Sequence, residues 1–411
     1  MTKLEQLITE YCPNGVPYKS LGELGSFYGG LSGKSKDDFI DGNAKFITYM
    51  NVYSNPALNL DVTETVKIGE NEKQNTIQYG DVLFTGSSES PDECGVSSVL
   101  TQHTDEKLYL NSFCFAFRFD DLSIILPDFA KHLFRSSNLR YQIGKTASGV
   151  TRYNVSKKQM EKVVIPIPPI EVQGEIVRIL DNFTELTAEL TAELTARKSQ
   201  LEYYRENLIS QSNTVVKLEE ICNIYLGLTA TPNYTDSGVK FISAQNTSSD
   251  YLNLSNVKYI SEADYLKATS NAKPQRGDVL FTRVGSNLGH PVIVETDERL
   301  CIFVSLGFLR AKDKSVVLNR YLKHWMNTDL FWAQVRKNVH GAAKVNLNTG
   351  WLKNFDIQLP SIEKQNEICD KLDKLEQLCS DFSIGLPAEI EKRNKQYEYY
   401  RDKLLTFKEL S

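Results

Sequence analysis

Apolar positions in this chain change their periodicity three times. From residue 16 to 169 they fall in short β-branched and aromatic runs such as Lys45-Phe-Ile-Thr-Tyr49, Asp81-Val-Leu-Phe-Thr85 and Ser112-Phe-Cys-Phe-Ala-Phe-Arg118, punctuated by Gly, Asn, Asp and Ser. That is a strand-and-turn pattern. Phe129, Leu133, Phe134 and Tyr141 then adopt helical spacing behind Pro127, which predicts one helix from about 127 to 143. Pro166-Ile-Pro-Pro169 closes the segment, because neither a helix nor a central strand continues through it. Beyond it, apolar residues at 176, 179, 180, 183, 186, 190, 194, 201, 204 and 208, with no Pro and no Gly after Gly174, predict one amphipathic helix to about Ser210. At 1.5 Å per residue such a helix is roughly 60 Å long. The strand pattern returns from 212 to Leu359-Pro360, with Tyr321, Trp325 and Phe331 in its own helix, and residues 361 to 409 turn helical again around an interruption at Gly385-Leu-Pro387.

The two halves say nearly the same thing. Gln200-Leu-Glu-Tyr-Tyr-Arg-Glu206 returns 196 residues later as Gln396-Tyr-Glu-Tyr-Tyr-Arg-Asp402, and Gly80-Asp-Val-Leu-Phe-Thr85 returns 197 residues later as Gly277-Asp-Val-Leu-Phe-Thr282. Lys45-Phe-Ile47 and Lys240-Phe-Ile242, and Lys131-His132 and Lys323-His324, keep the same order. A period this long marks a duplicated domain-plus-helix module rather than a solenoid. The expected fold class is α+β: two repeated α/β domains, residues 1–169 and 212–360, separated by an antiparallel pair of long coiled-coil helices, 170–211 and 361–411, with pseudo-two-fold symmetry. Pairing the helices would bury two apolar stripes that neither hides alone.

Composition then excludes more than it suggests. No run approaches the roughly 18 apolar residues of a membrane span and the amino terminus carries no signal-peptide core, so a cytoplasmic protein with no membrane contact is expected. Seven cysteines without Cys-x-x-Cys spacing and five scattered histidines give neither a disulfide framework nor a metal site. Gly30-Leu-Ser-Gly-Lys-Ser35 fails as a phosphate loop because Tyr28 stands where the first Gly is required. Methyltransferase, hydrolase and zincin motifs are missing as well, so no catalytic residue is assigned.

The net charge of −5 argues against a polyanionic partner until it is divided along the chain. Residues 129 to 162 carry Lys131, Arg135, Arg140, Lys145, Arg152, Lys157, Lys158 and Lys162 against Glu161, a surplus of +7; residues 320 to 353 carry a surplus of +5. Two matching basic stretches suit two contacts with one polyanion. Beside them lie loops that differ between the copies. Ser87 and Ser88 lie in the loop after the first Gly-Asp-Val-Leu-Phe-Thr run, and Arg283, Ser286 and Asn287 in the loop after the second. Ser148, Arg152 and Asn154 follow the first basic helix, and Lys344 and Asn346 the second. Arg283, Ser286 and Asn287 are the expected base-edge contacts, since Arg can pair with guanine and Asn with adenine. Lys145, Arg152, Lys337 and Lys344 are the expected phosphate contacts, and Asn154 and Asn346 are candidate base readers, with a structural Asn at an ordinary turn as the alternative. Glu89, Asp92 and Glu93 in the first loop would repel phosphates.

Ile165-Pro-Ile-Pro-Pro-Ile-Glu-Val-Gln173, Glu175-Ile-Val-Arg-Ile-Leu-Asp181, the tandem Thr187-Ala-Glu-Leu190 and Thr191-Ala-Glu-Leu194, Tyr203-Tyr-Arg205, and their copies at Leu359-Pro-Ser-Ile-Glu-Lys-Gln365 and Tyr399-Tyr-Arg401 give a specific resemblance. It covers nearly the whole chain. The protein resembles the specificity subunit of type I restriction-modification systems, in its IC-like branch. That resemblance implies two target-recognition domains, each reading half of a bipartite asymmetric site in double-stranded DNA. It further implies helices that dock two modification subunits, which hold S-adenosylmethionine and methylate adenine, with restriction subunits that use ATP and Mg joining the core. Leu186, Leu190, Leu194, Tyr204, Leu208, Leu372, Ile390, Tyr400 and Leu404 are then the expected spacer and docking positions, and the chain itself is expected to be non-catalytic and to carry no cofactor. The tetrapeptide repeats become a ruler for the unread DNA between the half-sites. A coiled-coil assembly adaptor that binds protein rather than DNA is the alternative.

Overall fold

The computed structural model describes residues 2–268, 273–285, 287–338, 346–381 and 384–410. The chain divides into two compact units, residues 1–189 with 391–411 and residues 190–390, so the boundary runs through both long helical stretches.

In unit 1 the repeated motif forms the central strand Val82–Thr85, buried at every position. It pairs antiparallel with Cys114–Phe119 and Ser97–Val99, and Gly25–Gly29 completes a four-stranded sheet. Alternate residues of a strand point to opposite faces. Phe84 and Phe117 therefore pack with Phe129, Leu133 and Phe134, together with Ile176 and Leu180 of the long helix, while Leu83 and Ala116 pack with Ile47 and Leu110. A strand covered on both faces reads as a continuous apolar run. The second face belongs to a mixed sheet in which Ala44–Ile47 and Leu108–Leu110 run parallel. Unit 2 repeats the plan around Val279–Thr282, with Leu306–Ala311, Pro291–Ile293 and Cys222–Leu226 in one sheet and a parallel pair, Val239–Ile242 and Leu300–Ile302, in the other.

Asp81 of the motif is almost completely buried and accepts from Arg118 Nε at 2.8 Å and Nη2 at 2.6 Å, from the Tyr28 hydroxyl at 2.6 Å and from the Gln78 amide at 2.6 Å. Asp278 repeats this with Arg310 and the Gln275 amide. The carboxylate raises the pKa of each arginine further. The motif's Asp is thus a scaffold residue that fastens one sheet strand to its neighbour.

The single helix expected over 127 to 143 is two, Pro127–Leu133 and Ser137–Gly144, and its copy is likewise split into Asn319–Met326 and Asp329–Asn338. At each break a hydroxyl donates to the carbonyl three residues back, Ser136 Oγ to Leu133 at 2.7 Å and Thr328 Oγ1 to Trp325 at 2.6 Å, which takes the place of the next helical turn.

The long helix runs from Ile170 to Ser210 without interruption. Its counterpart is divided into Ile362–Ser380 and Leu386–Leu404. Gly385 stands between them, where a Cβ would lie 2.6 to 2.9 Å from the carbonyl oxygens of Asp381, Gln377 and Leu378. Each stretch begins on a buried glutamine. Gln173 accepts from the Leu126 amide and donates to the carbonyls of Ile124 and Pro168; Gln365 does the same with Leu318, Val316 and Pro360. Both glutamines are fully buried.

Further along, His132 Nε2 meets Asp181 at 2.8 Å, with Lys131 also on Asp181, and His324 Nε2 meets Asp373 at 2.7 Å, with Lys323 on Glu376. Burial pushes the His132 pKa down; burial also works against the charge on Asp181, yet hydrogen bonds from His132 and Lys131 hold that carboxyl below its usual value. His324, Asp373 and Glu376 bring three metal-type ligands together, but Arg320 at 2.7 Å from Asp373 and Lys323 at 2.6 Å from Glu376 already neutralise the carboxylates. All seven cysteines are buried and unpaired. No helix among the described residues is long and apolar enough to cross a membrane.

Candidate nucleic-acid interface

The loops that follow the two motif strands occupy equivalent places. In unit 1, Ser87–Ser88 pairs with Tyr153–Val155, which pairs in turn with Ala147–Ser148, so that Ser87, Ser148 and Asn154 share one register. Among the described residues of unit 2, an isolated antiparallel bridge joins Val284 to Asn346. The sequence-predicted groups are therefore brought together, Ser87 with Asn154 in one unit and the Arg283 loop with Asn346 in the other. Ser286 and Lys344 lie outside the described residues.

The hairpin turn of unit 1 depends on Gly149, whose φ is +155° and where a Cβ would sit 2.0 Å from the Arg152 carbonyl oxygen. This turn carries Arg152 over a cleft of about 650 Å³ lined by Tyr49, Ser87, Ser88, Glu89, Glu93, Phe113, Thr151 and Arg152. Arg152 Nε donates to Ser87 Oγ at 3.0 Å, and its guanidinium lies 5.7 Å from the Phe113 ring centroid. Tyr49 donates to the Ser87 carbonyl at 3.0 Å and Tyr53 to Glu93 at 3.1 Å. Burial raises the Tyr49 pKa, so the phenol remains a donor. Phe113 is 58% exposed although it stands between two strands. Reading the sequence missed Phe113 and Tyr49; an aromatic in the short Asn111-Ser-Phe113 turn was the available signal.

The basic surplus of this region is smaller at the surface than in the sequence. Arg140 spends its guanidinium on the carbonyls of Asp92, Cys94 and Gly95, and Arg135 on those of Ser97, Val52 and Tyr53. Burial lowers both, Arg135 to about 10. They fix the loop from beneath. Lys131 is committed to Asp128 and Asp181, which leaves Lys145, Arg152, Lys157, Lys158 and Lys162 exposed. In unit 2, Arg320, Lys323 and Arg336 are likewise paired, with Asp373, Glu376 and Asp329, and Lys337 is exposed.

Arg283 does not occupy the base-edge position expected of it. It is 8% exposed, and it donates from Nε to the Leu347 carbonyl at 3.2 Å and from Nη1 to the Val304 carbonyl at 3.0 Å. Burial lowers its pKa. The guanidinium is a loop anchor. Arg283→Ala should leave both carbonyls without a partner and destabilise unit 2 by about 1–3 kcal/mol; a thermal unfolding curve superimposable on that of the unaltered chain would contradict this placement. Asn287 is half-buried, with its amide 3.4 Å from the Thr247 carbonyl, while Asn346 is exposed.

Of the spacer positions, Leu372 is fully buried, Leu190, Leu194, Leu208, Ile390 and Leu404 are partly so, and Leu186, Tyr204 and Tyr400 are exposed. Tyr400 stacks on Phe183, with ring centroids 5.3 Å apart.

The pattern of the type I restriction modification DNA specificity domain matches residues 13–197 and again 211–392. The chain belongs to that family. A Haemophilus influenzae protein named as a type I restriction enzyme specificity subunit is 33% identical over 276 residues, 63% of this chain and 68% of that protein. The Escherichia coli EcoR124I/EcoR124II specificity subunit is 32% identical over 268 residues, which is 62% of this chain and 65%, just under two thirds, of that relative. A chain from a structure of type I restriction-modification complex assembly superposes with a TM-score of 0.66 at 16% identity, covering 96% of this chain and 98% of that one, and thus shares the fold.

Proposed function

We propose that this specificity-family chain is the DNA-reading subunit of a type I restriction-modification complex. Each unit takes one half of a bipartite asymmetric duplex site, and the helices dock two adenine methyltransferase subunits that hold S-adenosylmethionine. Restriction subunits using ATP and Mg complete the assembly, and the chemistry belongs to these partners. The observation that carries the reading is the pairing of one scaffold with two different loop chemistries in matching register, Ser87 with Asn154 and Val284 with Asn346. Membership of the specificity family supports it.

The test is long-read methylome sequencing of cells that co-express the chain with its cognate modification subunit, with and without deletion of Thr187 to Leu190. The deletion removes one tetrapeptide from the continuous helix, about 6 Å of rise and roughly 40° of rotation beyond a full turn. A base pair of B-DNA turns by a similar angle, roughly 34 to 36°. The expected result is a bipartite methyladenine motif whose two half-sites persist while the spacer between them shortens. No methylation from a folded, associated pair of subunits would favour the protein-binding adaptor.

A further inference from the structure

The cleft of unit 1 contains an arrangement that a phosphate contact would not need. Arg152 is held at Nε by Ser87, a buried strand residue, and its guanidinium carbon lies 5.7 Å from the Phe113 ring centroid. Its two terminal amino groups make no hydrogen bond among the described residues and stay open to a ligand, while the bond from Nε restrains the fork. Glu89 and Glu93 line the same cleft. Glu93 is engaged by Tyr53 and Ser88, whereas Glu89 is exposed and has no hydrogen-bond or ion-pair partner among the described residues. A phosphodiester brought to Arg152 would enter a cleft that also holds two carboxylates, and like charges repel.

The major-groove edge of a G·C pair has the opposite character. Guanine offers two acceptors, N7 and O6, and cytosine offers the N4 amino donor. An arginine fork beside a free carboxylate complements that edge group for group. An A·T pair presents an adenine donor beside N7 and a thymine acceptor, which would face the fork and the carboxylate with mismatched partners.

Resting on the DNA-reading function above, we infer that Arg152 is a specificity-determining residue: it reads guanine of one G·C pair in the unit 1 half-site, Glu89 accepts from the paired cytosine, and Ser87 and Phe113 position the fork. This moves Arg152 from the backbone to the base edge. Lys145, Lys157, Lys158 and Lys162 remain as exposed cations of the same unit for phosphates.

The experiment is the methylome of cells carrying the full chain with its modification subunit, comparing the unaltered protein with Arg152→Ala, Arg152→Lys and Glu89→Gln, each checked for co-purification of the two subunits. Arg152→Ala should lower discrimination at one G·C position of one half-site by roughly 5- to 150-fold, the range of a bidentate base contact. The other half-site should be unchanged. Arg152→Lys, which keeps the charge and loses the fork, should relax that same position, and Glu89→Gln should relax it from the cytosine side. A uniform loss of methylation at every site with the motif intact would make Arg152 a phosphate contact and overturn the assignment. So would an unaltered motif. If the unaltered chain yields no motif at all, the DNA-reading function falls and takes this assignment with it.

Discussion

Gln173→Leu should unfold unit 1 far more easily than its conservative volume change suggests. The substitution leaves the buried Pro168 carbonyl and the partly buried Ile124 carbonyl and Leu126 amide without their side-chain partner. A fully buried group left this way costs about 1–3 kcal/mol; with two of the three only partly buried and able to regain water, a total on the order of 3–6 kcal/mol is expected. The damage is concentrated where the sheet domain hands the chain to the long helix, because Gln173 ties the Pro168 carbonyl to the segment before the Pro127–Leu133 helix. Chemical denaturation read by circular dichroism would check it. Two units are expected to give two transitions: Gln173→Leu should move only the one belonging to unit 1, and Gln365→Leu only the other. A midpoint that stays put in both variants would show that the glutamines are spectators.

The second large effect is expected at Asp81. Asp81→Ala withdraws the acceptor from both nitrogens of the Arg118 fork, from the Tyr28 hydroxyl and from the Gln78 amide at once. Loss of one partner from a buried pair costs about 3–5 kcal/mol. Arg118 is about one-third exposed and regains some water, which places the expectation toward the lower end. Asp81→Ala combined with Arg118→Leu should recover part of the loss, since the uncompensated cation is then gone as well. A double variant no more stable than Asp81→Ala would mean that the carboxylate acts through its backbone contact with Gln78 and not through the arginine.

These two residues show what the sequence makes legible. The Gly-Asp-Val-Leu-Phe-Thr repeat marked a central strand because both of its faces are covered, and its second occurrence marked the second unit. The uninterrupted helix from Ile170 to Ser210 followed from apolar periodicity over 41 residues with no breaker after Gly174. The break at Ser136 was not visible, since a serine interrupts a helix only when its hydroxyl turns back onto a carbonyl, and rotamers are not written in the chain. The basic stretches were over-read for a different reason. Arg135 reaches carbonyls 38 to 83 residues away and Arg283 one 64 residues away. Charge counted along a sequence cannot show which cations are spent on distant main-chain oxygens. Conversely, the repulsive Glu89 and Glu93 looked out of place beside DNA until the fold put them in the cleft with Arg152.

The loop after the motif strand differs in length between the units. Strand pairing sets Val82 against Val99 in unit 1 and Val279 against Ile293 in unit 2, so the intervening chain is three residues shorter in the second copy. None of that difference reaches the arginine fork and main-chain amide held by Asp278 or the three main-chain groups held by Gln365, which match those of Asp81 and Gln173. The loop can therefore change length while the buried strand below it and its aspartate anchor keep their places, so one scaffold tolerates two different loops without loss of its core.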